Sequence, residues 1–214
     1  MNRLNVGCGM SPTSGWINVD NSMSLRLAML PNWVIFFLSK IGLIDKSQFD
    51  YIAFCRKENI RWCNAFKRLP FRNESIGVLY SSHMLEHLDK QEASRFLAEA
   101  YRVLIKGGVI RLAVPGLKKK ILDYVERGNA DDFIESLHTC VAKPKTFRLR
   151  LRLLFVGPRH HHWMYDEISL CSLLERSGFH KAIALKAGET TIPNPGSLDL
   201  MERADESIYV EAVK

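Results

Sequence analysis

The chain has 214 residues, of which 47% are hydrophobic and 25% are charged. These values are close to the averages for globular proteins, and they exclude stapled mini-proteins, long repeat arrays, fibrous proteins and disordered chains. Thirty Lys and Arg residues against 23 Asp and Glu residues leave a net charge of +7, which favours anionic partners or surfaces.

Strand and turn patterns open the chain. Arg3 to Gly7 has the pattern of a short buried strand that enters a glycine turn, and Trp16 to Val19 predicts a second strand ending at Asp20. The sequence between these strands is too short for a full crossover helix. We therefore expect a loop or a vestigial helix there. Residues 21–59 are predicted to be an insertion that is helical in its apolar half.

The apolar half of this insertion, Leu25 to Ile44, is the longest apolar stretch of the chain. Charged residues and a proline interrupt it, so its uncharged core is too short to span a bilayer of roughly 30 Å. Three interpretations stay open: a buried helix, a lid over the substrate, or a segment that lies at a membrane interface.

Two strands and a helix are predicted in the middle of the chain. Ile60 to Cys63 is a candidate short strand, and Ile76 to Ser82 is a clearer one. Asp89 and Glu92 have the spacing of a capping box, and apolar residues at i, i+3, i+4 and i+7 continue a helix to Leu104.

The second half contains two further strands and one further helix. Gly107-Gly108 is expected to end the preceding helix and lead into a buried strand over Val109 to Val114. Asp166 is expected to cap a helix that runs to about Ser177, and Ile208 to Val213 has the pattern of a final strand. Strands that alternate with helices indicate an α/β fold with a mostly parallel sheet.

The residues that follow each predicted strand are the candidate ligand contacts, since open parallel sheets bind ligands beyond the carboxyl ends of their strands. Glycine lets the backbone approach a ligand, and an acidic residue after the second strand can accept from both hydroxyls of a ribose. The residues at this edge are Gly7-Cys8-Gly9, Asp20, Asn64-Ala65, Ser81-Ser82-His83 and Pro115-Gly116.

Several segments together resemble the class I S-adenosylmethionine-dependent methyltransferases, above all the small type 11-like methyltransferase-domain proteins often associated with polysaccharide biosynthesis. The resemblance implies a Rossmann-like fold with a mostly parallel seven-stranded sheet, an antiparallel last strand and helices on both faces. It implies one domain over 1–214, with a helical insertion at about 21–59 and a basic arm at about 136–165. The segments are Leu4 to Gly9, Gly15 to Asp20, Leu69 to Phe71, Ser81 to Leu88, Ala100 to Gly108, His162 to Asp166 and Leu198 to Val213.

The resemblance also implies S-adenosylmethionine as cofactor and S-adenosylhomocysteine as product. Gly7 and Gly9 would lie beside its methionine part, Asp20 would bind its ribose, and Asn64 with the amide of Ala65 would meet its adenine. Residues 81–83 would lie under the sulfonium. The full candidate set for the cofactor is Asn5, Gly7, Cys8, Gly9, Asp20, Asn64, Ala65, Ser81 and Ser82.

Histidines are the candidate bases. Methyl transfer is an in-line displacement that depends on alignment, and a hydroxyl acceptor also needs a group that removes its proton. His83 and His162 are predicted to do so. His87 is either a substrate contact or a histidine that serves only the start of a helix, and Trp163 and Tyr165 are candidate substrate contacts.

No metal site is expected from the sequence. The adjacent histidines at 160–162 do not readily converge on one ion, and no carboxylate precedes Asp166 nearby. Five cysteines without a C-x-x-C pair favour neither a disulfide framework nor a zinc knuckle. With no secretion signal pattern at the N-terminus, we expect reduced thiols in a cytoplasmic protein.

The positive charge is concentrated in one segment. No acidic residue lies between Glu135 and Asp166, whereas six basic residues do, and three of them alternate with leucines as Arg148, Arg150 and Arg152. This pattern predicts either a solvated face or an arm that binds phosphate or carboxylate groups of the acceptor. An anionic lipid surface and RNA are competing partners, although the sequence carries no RNA-binding module.

The sequence thus predicts a methyltransferase that modifies an oxygen atom of a small or glycan-like acceptor. Two alternatives stay open: a partner protein of the same fold that binds S-adenosylmethionine without catalysis, and an RNA-directed methyltransferase. The expected location is the cytoplasm, with peripheral contact at the inner membrane face as an option. The sequence leaves the oligomeric state open.

Overall fold

The computed structural model describes residues 1–140, 146 and 160–214. Most of the basic segment, including the candidate substrate residues Arg148, Arg150 and Arg152, lies outside the described residues. Every predicted strand falls within the described part of the chain.

A seven-stranded sheet organises the fold, in the order β3-β2-β1-β4-β5-β7-β6. Strand β7 is antiparallel to both of its neighbours, and the remaining neighbours are parallel. The predicted seven-stranded, mostly parallel sheet with an antiparallel last strand is confirmed. The strands are β1 (Asn2–Val6), β2 (Ile17–Asp20), β3 (Ile60–Trp62), β4 (Ile76–Ser82), β5 (Leu104–Pro115), β6 (His180–Leu185) and β7 (Ser207–Val213).

Helices connect most of these strands. The crossovers from β2 to β3 and from β4 to β5 run in opposite directions across the sheet, so right-handed connections place their helices on opposite faces. The α-helices are α1 (Met23–Ala28), α2 (Asn32–Lys40), α3 (Lys46–Lys57), α4 (Lys90–Val103), α5 (Leu117–Arg127), α6 (Ala130–Ser136) and α7 (Glu167–Arg176); a 3-10 turn, η1, spans Leu85–His87.

The capping box predicted for α4 is confirmed. The Asp89 carboxylate accepts from the backbone N–H of Glu92, whose own carboxylate accepts from the backbone N–H of Asp89. The predicted end of this helix is wrong, because α4 ends at Val103 and Leu104 already pairs with Ile76 of β4. Gly107-Gly108 therefore lies within β5 and does not end the helix.

No helix separates β1 from β2, as the short spacing predicted. Two buried amides fix the connecting loop instead. Asn18 accepts from the N–H of Thr13 and donates to its carbonyl, and Asn5 donates to the Thr13 hydroxyl and to the Ser11 carbonyl. Asn5 is thus buried and holds the loop that leads away from the glycine turn.

The main core lies on one face of the sheet. Alternate residues of the central strands, Leu79, Ile110 and Val210, are fully buried and belong to the same apolar cluster as Phe96 of α4 and Leu174 of α7. Each such side chain contributes roughly 1.5–3 kcal/mol by its removal from water. This packing holds the carboxyl ends of β1, β4 and β5 in a fixed arrangement.

The opposite face of the central strands carries a buried ion pair. Arg111 on β5 and Glu211 on β7 are fully buried, and the Arg111 Nη1 donates to Glu211 Oε1 over 2.6 Å. Arg111 also donates to the carbonyls of Glu189 and Leu200, and the Thr190 hydroxyl donates to Glu211. The pair therefore anchors the connection between β6 and β7 to the sheet.

The apolar segment after β2 forms α1 and α2 and is divided between interior and surface. Leu27, Ile35 and Ile44 are buried in a small cluster of their own. On α2, however, Trp33 is 72% exposed and Phe36 is 60% exposed. None of the helices in the described part of the chain has the length and apolar character that a bilayer crossing requires.

The Arg111–Glu211 pair gives a stability prediction. Glu211→Gln should lower the free energy of unfolding by about 3 kcal/mol, because it leaves a buried guanidinium without its counter-charge. Urea unfolding at neutral pH measures the change. Glu206→Gln is the matched control, since its partner Arg203 is half exposed and such a pair contributes less than about 1 kcal/mol.

The same pair should make stability depend on pH. Burial alone would raise the pKa of Glu211, but hydrogen bonds from Thr190, Thr191 and Arg111 outweigh it and lower the pKa below 4.5. A carboxyl with a lowered folded-state pKa stabilises fully above its unfolded pKa and loses that contribution as the pH falls through the folded value. The difference between the native chain and Glu211→Gln should therefore shrink below about pH 4.5, and a constant difference would contradict this assignment.

Candidate functional site

A cavity of about 730 Å³ lies at the carboxyl ends of β1, β2, β3 and β4. Its walls come from the glycine turn after β1, from the helices that follow β2, and from the turn after β4. Among the residues that the sequence singled out, those lining it are Gly7, Gly9, Asp20, Ala65, His83, His87 and His162. A single cavity thus contains candidate cofactor residues, such as Gly9 and Asp20, and candidate residues for the acceptor, such as His83 and His162.

The glycine turn forms the first end of the cavity. Gly7 has a φ of +72°, donates its N–H to the Val19 carbonyl, and a Cβ there would lie 2.6 Å from Met84 Cγ. Gly9 has a φ of +50°, and a Cβ there would meet no atom within 4 Å. Gly7 is therefore required by packing, whereas Gly9 leaves room inside the cavity.

Asp20 stands beside this turn at the end of β2. Its Oδ2 accepts from the N–H of Gly9 over 3.1 Å, and its Oδ1 accepts from the N–H of Ser22 over 2.7 Å. These bonds fix the carboxylate at the cavity wall and leave each oxygen with further accepting capacity. That arrangement suits two neighbouring hydroxyl groups, such as those of a ribose.

Five candidate cofactor residues do not line the cavity. Asn5 supports the loop after β1, and the Ser81 hydroxyl donates to the Val6 carbonyl over 2.8 Å. Cys8 is buried, and its burial together with the charge of Asp20 raises the pKa of its thiol to about 12. The Asn64 Oδ1 and the Ser82 Oγ are buried, and neither has a hydrogen-bond partner in the described part of the chain.

His83 forms the second end of the cavity. It follows β4 with a φ of +48°, which is an uncommon backbone conformation for a residue other than glycine. Its Nε2 lies 2.8 Å from the Ser207 hydroxyl, and its Nδ1 lies 3.4 Å from Glu86 Oε1. The His83 Nε2 is therefore hydrogen-bonded to Ser207, and its Nδ1 faces the Glu86 carboxylate without a hydrogen bond.

His87 and His162 share this end of the cavity. The His87 Nδ1 donates to the His160 carbonyl over 2.9 Å, and its Nε2 faces the Glu86 carboxylate at 4.0 Å. His162 is exposed, and its backbone N–H donates to the Glu86 carbonyl over 2.7 Å. The backbone N–H of Trp163 donates to the same carbonyl, so residues 162 and 163 are held against η1.

The two candidate aromatic substrate contacts lie away from the cavity wall. Trp163 is partly exposed, and the Lys90 Nζ lies 4.1 Å from its ring centroid. Tyr165 is buried in the main core, and burial and the nearby Glu86 raise the pKa of its phenol to about 12. Its carbonyl accepts from the N–H of Leu117, so it ties the segment before α7 to the start of α5.

The sequence prediction gave Glu86 no role, and it considered His161 only within the histidine run at 160–162, for which no metal site was expected. The Glu86 carboxylate is 1% exposed, and the Nε2 atoms of His87 and His161 each lie 4.0 Å from its Oε1. Burial is the main cause that lowers the pKa of His161. The signal that could have indicated this cluster is the carboxylate of Glu86, directly before His87. Glu86 is far from the histidine run at 160–162 in the sequence, but it lies beside that run in the fold.

Comparison with known proteins gives a family match and a shared fold. A family model described as a methyltransferase domain matches residues 44–112. An S-adenosylmethionine-dependent methyltransferase structure from Thermotoga maritima aligns with 100% of this chain and 81% of its own, at 16% identity and a TM-score of 0.54. One from Methanosarcina mazei aligns with 100% of this chain and 92% of its own, at 16% identity and a TM-score of 0.52.

A third structure comes from Haloferax volcanii and is a complex of a methyltransferase with a methyltransferase activator. The alignment covers 99% of this chain and 81% of that one, at 12% identity and a TM-score of 0.52. No curated protein sequence matches the chain. The family model covers about a third of the chain, and the solved structures show a shared fold; the Thermotoga maritima and Methanosarcina mazei proteins are named for S-adenosylmethionine as their cofactor.

The first end of the cavity fits this cofactor. The Asp20 carboxylate can accept from ribose hydroxyls, and the open space at Gly9 admits a ligand against the backbone. Asn64 does not itself line the cavity, but its neighbours in the chain, Cys63 and Ala65, both do. The Asn64 Oδ1 is buried and has no hydrogen-bond partner among the described residues. An acceptor at that position suits the amino group of adenine.

A pair of glycine variants tests this assignment. Gly9→Ala and Gly15→Ala both place a methyl group in open space at a positive φ, so each should cost about 1–2 kcal/mol of stability. Only the Gly9 methyl enters the cavity. Calorimetry should therefore show weaker S-adenosylmethionine binding for Gly9→Ala and native affinity for Gly15→Ala. Equal affinities in the two variants would contradict the placement.

Proposed function

We propose that this chain transfers the methyl group of S-adenosylmethionine to a hydroxyl group of a small or glycan-like acceptor. One observation carries the proposal. A single cavity joins the glycine turn and Asp20 at one end to His83, His87 and His162 at the other. The residues proposed to bind the cofactor and the histidines proposed to act on the acceptor thus face the same space.

Gly7, Gly9, Asp20, Asn64 and Ala65 would hold the cofactor. When bound, S-adenosylmethionine supplies an electrophilic methyl carbon on a sulfonium. The protein's part is then to align the acceptor oxygen with that carbon and to accept its proton. Fixed backbone contacts at the glycine turn serve the alignment, since they position one reactant against the wall of the cavity.

His162 is the residue that we assign to remove the proton. It lines the cavity, and its exposed ring is free of the two-sided contacts that hold the ring of His83. The bonds from its own amide and that of Trp163 to Glu86 fix its backbone. His83, held by Ser207 and Glu86, is placed to orient the acceptor instead.

The acceptor is proposed to be anionic. This part of the proposal depends on the sequence, because six basic residues and no acidic residue lie between Glu135 and Asp166. That segment leads directly into the histidines of the cavity. Guanidinium groups in such a segment suit a phosphate or carboxylate on a sugar.

Methyl-label transfer tests the reaction. The native chain with labelled S-adenosylmethionine should label a hydroxyl acceptor in a panel of sugars, sugar phosphates, lipids, amines and RNA. His162→Asn should reduce turnover by about 10²-fold or more while cofactor affinity stays native, because it removes only the proton acceptor. His180→Asn, an exposed histidine on β6, is the control.

Other outcomes identify the alternatives. Cofactor binding without transfer to any acceptor would favour a non-catalytic partner protein, and label in RNA or in an amine would replace the proposed acceptor class. Full turnover in both His162→Asn and His83→Asn would show that neither histidine takes part.

A second proposal concerns location: we infer that the chain works in the cytoplasm and makes peripheral contact with an anionic membrane surface. The exposed face of α2 carries Trp33, Phe36 and Phe37, of which Phe37 is 57% exposed. Lys40 lies 5.3 Å from the Phe36 ring, and Arg56 binds the Asn32 side chain at the start of the helix. Apolar side chains flanked by cations match the interface of an anionic bilayer.

Sedimentation with vesicles tests this contact. Binding to vesicles of equal parts phosphatidylglycerol and phosphatidylcholine should weaken at least tenfold in Phe36→Ser/Phe37→Ser, because two aromatic rings no longer enter the interface. Added salt should weaken it further. Ile168→Ser removes a 79% exposed side chain from α7 and should have no effect.

Two results would contradict this proposal. One is equal binding of the native chain and the double variant to these vesicles. The other is a change of oligomeric state in the double variant without a change in vesicle binding, which would assign the α2 face to a second copy of the chain.

A further inference from the structure

The Glu86 carboxylate is the most unusual charged group in the described part of the chain. Its side chain is 1% exposed, and neither of its oxygens has a hydrogen-bond partner among the described residues. Its neighbours are histidine rings, with His83 Nδ1 at 3.4 Å and the Nε2 atoms of His87 and His161 at 4.0 Å.

A buried carboxylate without a partner is strongly unfavourable, so Glu86 either carries a proton itself or is accompanied by a positive charge. Two sources are available. One is a proton on a neighbouring imidazole, and the other is a metal cation bound between the carboxylate and the rings. The distances among the ligand atoms decide whether a metal cation fits.

Three ligand atoms, one each from Glu86, His87 and His161, lie within 4.8 Å of one another. A tetrahedral zinc ion with bonds of about 2.0 Å separates its ligand atoms by about 3.3 Å. The two histidines lie 4.0 Å from Glu86 Oε1, so side-chain movements of less than about 1 Å would complete the coordination.

The surroundings of His87 suit a metal ligand. The His87 Nδ1 donates to the His160 carbonyl, so in the neutral ring Nε2 presents its lone pair on the side of Glu86. Histidines that bind metals commonly donate their second ring nitrogen to a backbone carbonyl in this way, which fixes the ring and its tautomer. The backbone bonds from residues 162 and 163 to the Glu86 carbonyl hold the two chain segments together.

We propose that Glu86, His87 and His161 bind a divalent transition-metal ion of the zinc class. Two imidazoles and one carboxylate are donors that suit zinc, cobalt and nickel. Three protein ligands leave at least one coordination position for water or for an oxygen of a bound molecule. Because His87 also lines the cavity, the ion would lie beside the acceptor end.

Metal titration of the full chain, without an affinity tag and after treatment with a chelator, tests the site. Calorimetry with Zn²⁺ should show one saturable site per chain. Glu86→Gln and His161→Asn should each weaken Zn²⁺ binding by more than about 100-fold, because each removes a ligand. His180→Asn is the matched control and should bind Zn²⁺ as the native chain does. Cobalt should give the visible absorption of a four- or five-coordinate site in the native chain and lose it in both ligand variants.

Thermal unfolding provides a second measurement that needs no methyl transfer. Added Zn²⁺ should raise the Tm of the native chain and of His180→Asn, and leave that of Glu86→Gln unchanged. Without metal, Glu86→Gln should unfold no earlier than the native chain, since the variant removes an uncompensated buried charge. Absence of saturable Zn²⁺ binding, or undiminished binding in both ligand variants, would overturn the proposal.

Discussion

The carbonyl of Glu86 is the contact that assembles the acceptor end of the cavity. It accepts from the amides of His162 and Trp163, which lie more than seventy positions further along the chain. Together with the bond from His87 to the His160 carbonyl, these two hydrogen bonds hold the segment that carries His162 at the end of β4. The same residue carries the buried carboxylate, so one position fixes both the geometry and the charge of this end of the site.

The sheet forms the cofactor end of the cavity. One face of the sheet is stabilised by apolar packing, and the opposite face by hydrogen bonds and an ion pair. The face beneath α4 and α7 is apolar and fixes the strands by close packing. The opposite face carries the Arg111–Glu211 pair and two buried asparagines, Asn5 and Asn18. Directional bonds on this face hold long connections that have no helix, including the loop that brings Gly9 to Asp20. The cofactor end is therefore built by a loop whose shape depends on hydrogen bonds.

Local signals explain what the sequence could predict. The capping box at Asp89, the glycine turn after β1 and the acidic end of β2 each depend on residues a few positions apart, and the structure contains all three. The predicted end of α4 was wrong because Leu104, which continues the helical periodicity of the sequence, pairs with β4 instead. Strand β6 was missed because it lies at the sheet edge with mostly exposed side chains, which leaves no alternating pattern.

In the candidate site, too, features set by local sequence could be predicted, whereas features set by tertiary contacts could not. Asp20 and His162 could be placed at the cavity from strand order and motif alone. Asn5 and Ser81 occupy strand ends as predicted, but their side chains bond to neighbouring loops and strands, and only tertiary contacts decide that direction. The cluster around Glu86 joins residues that are distant in the sequence. Reasoning about adjacent histidines could not find it.

The charge that accompanies Glu86 bears on the chemistry of the acceptor end. A unit charge about 5 Å from a reacting oxygen changes its energy by about 3 kcal/mol at an effective dielectric constant of about 20. An uncompensated carboxylate would therefore oppose the removal of a proton from an acceptor hydroxyl, which develops negative charge. A divalent ion held by Glu86 would reverse the sign of the charge in this cluster and would favour that step. The proposed base at His162 and the proposed ion at Glu86, His87 and His161 are thus compatible, because they use different residues and act on the oxygen in the same direction.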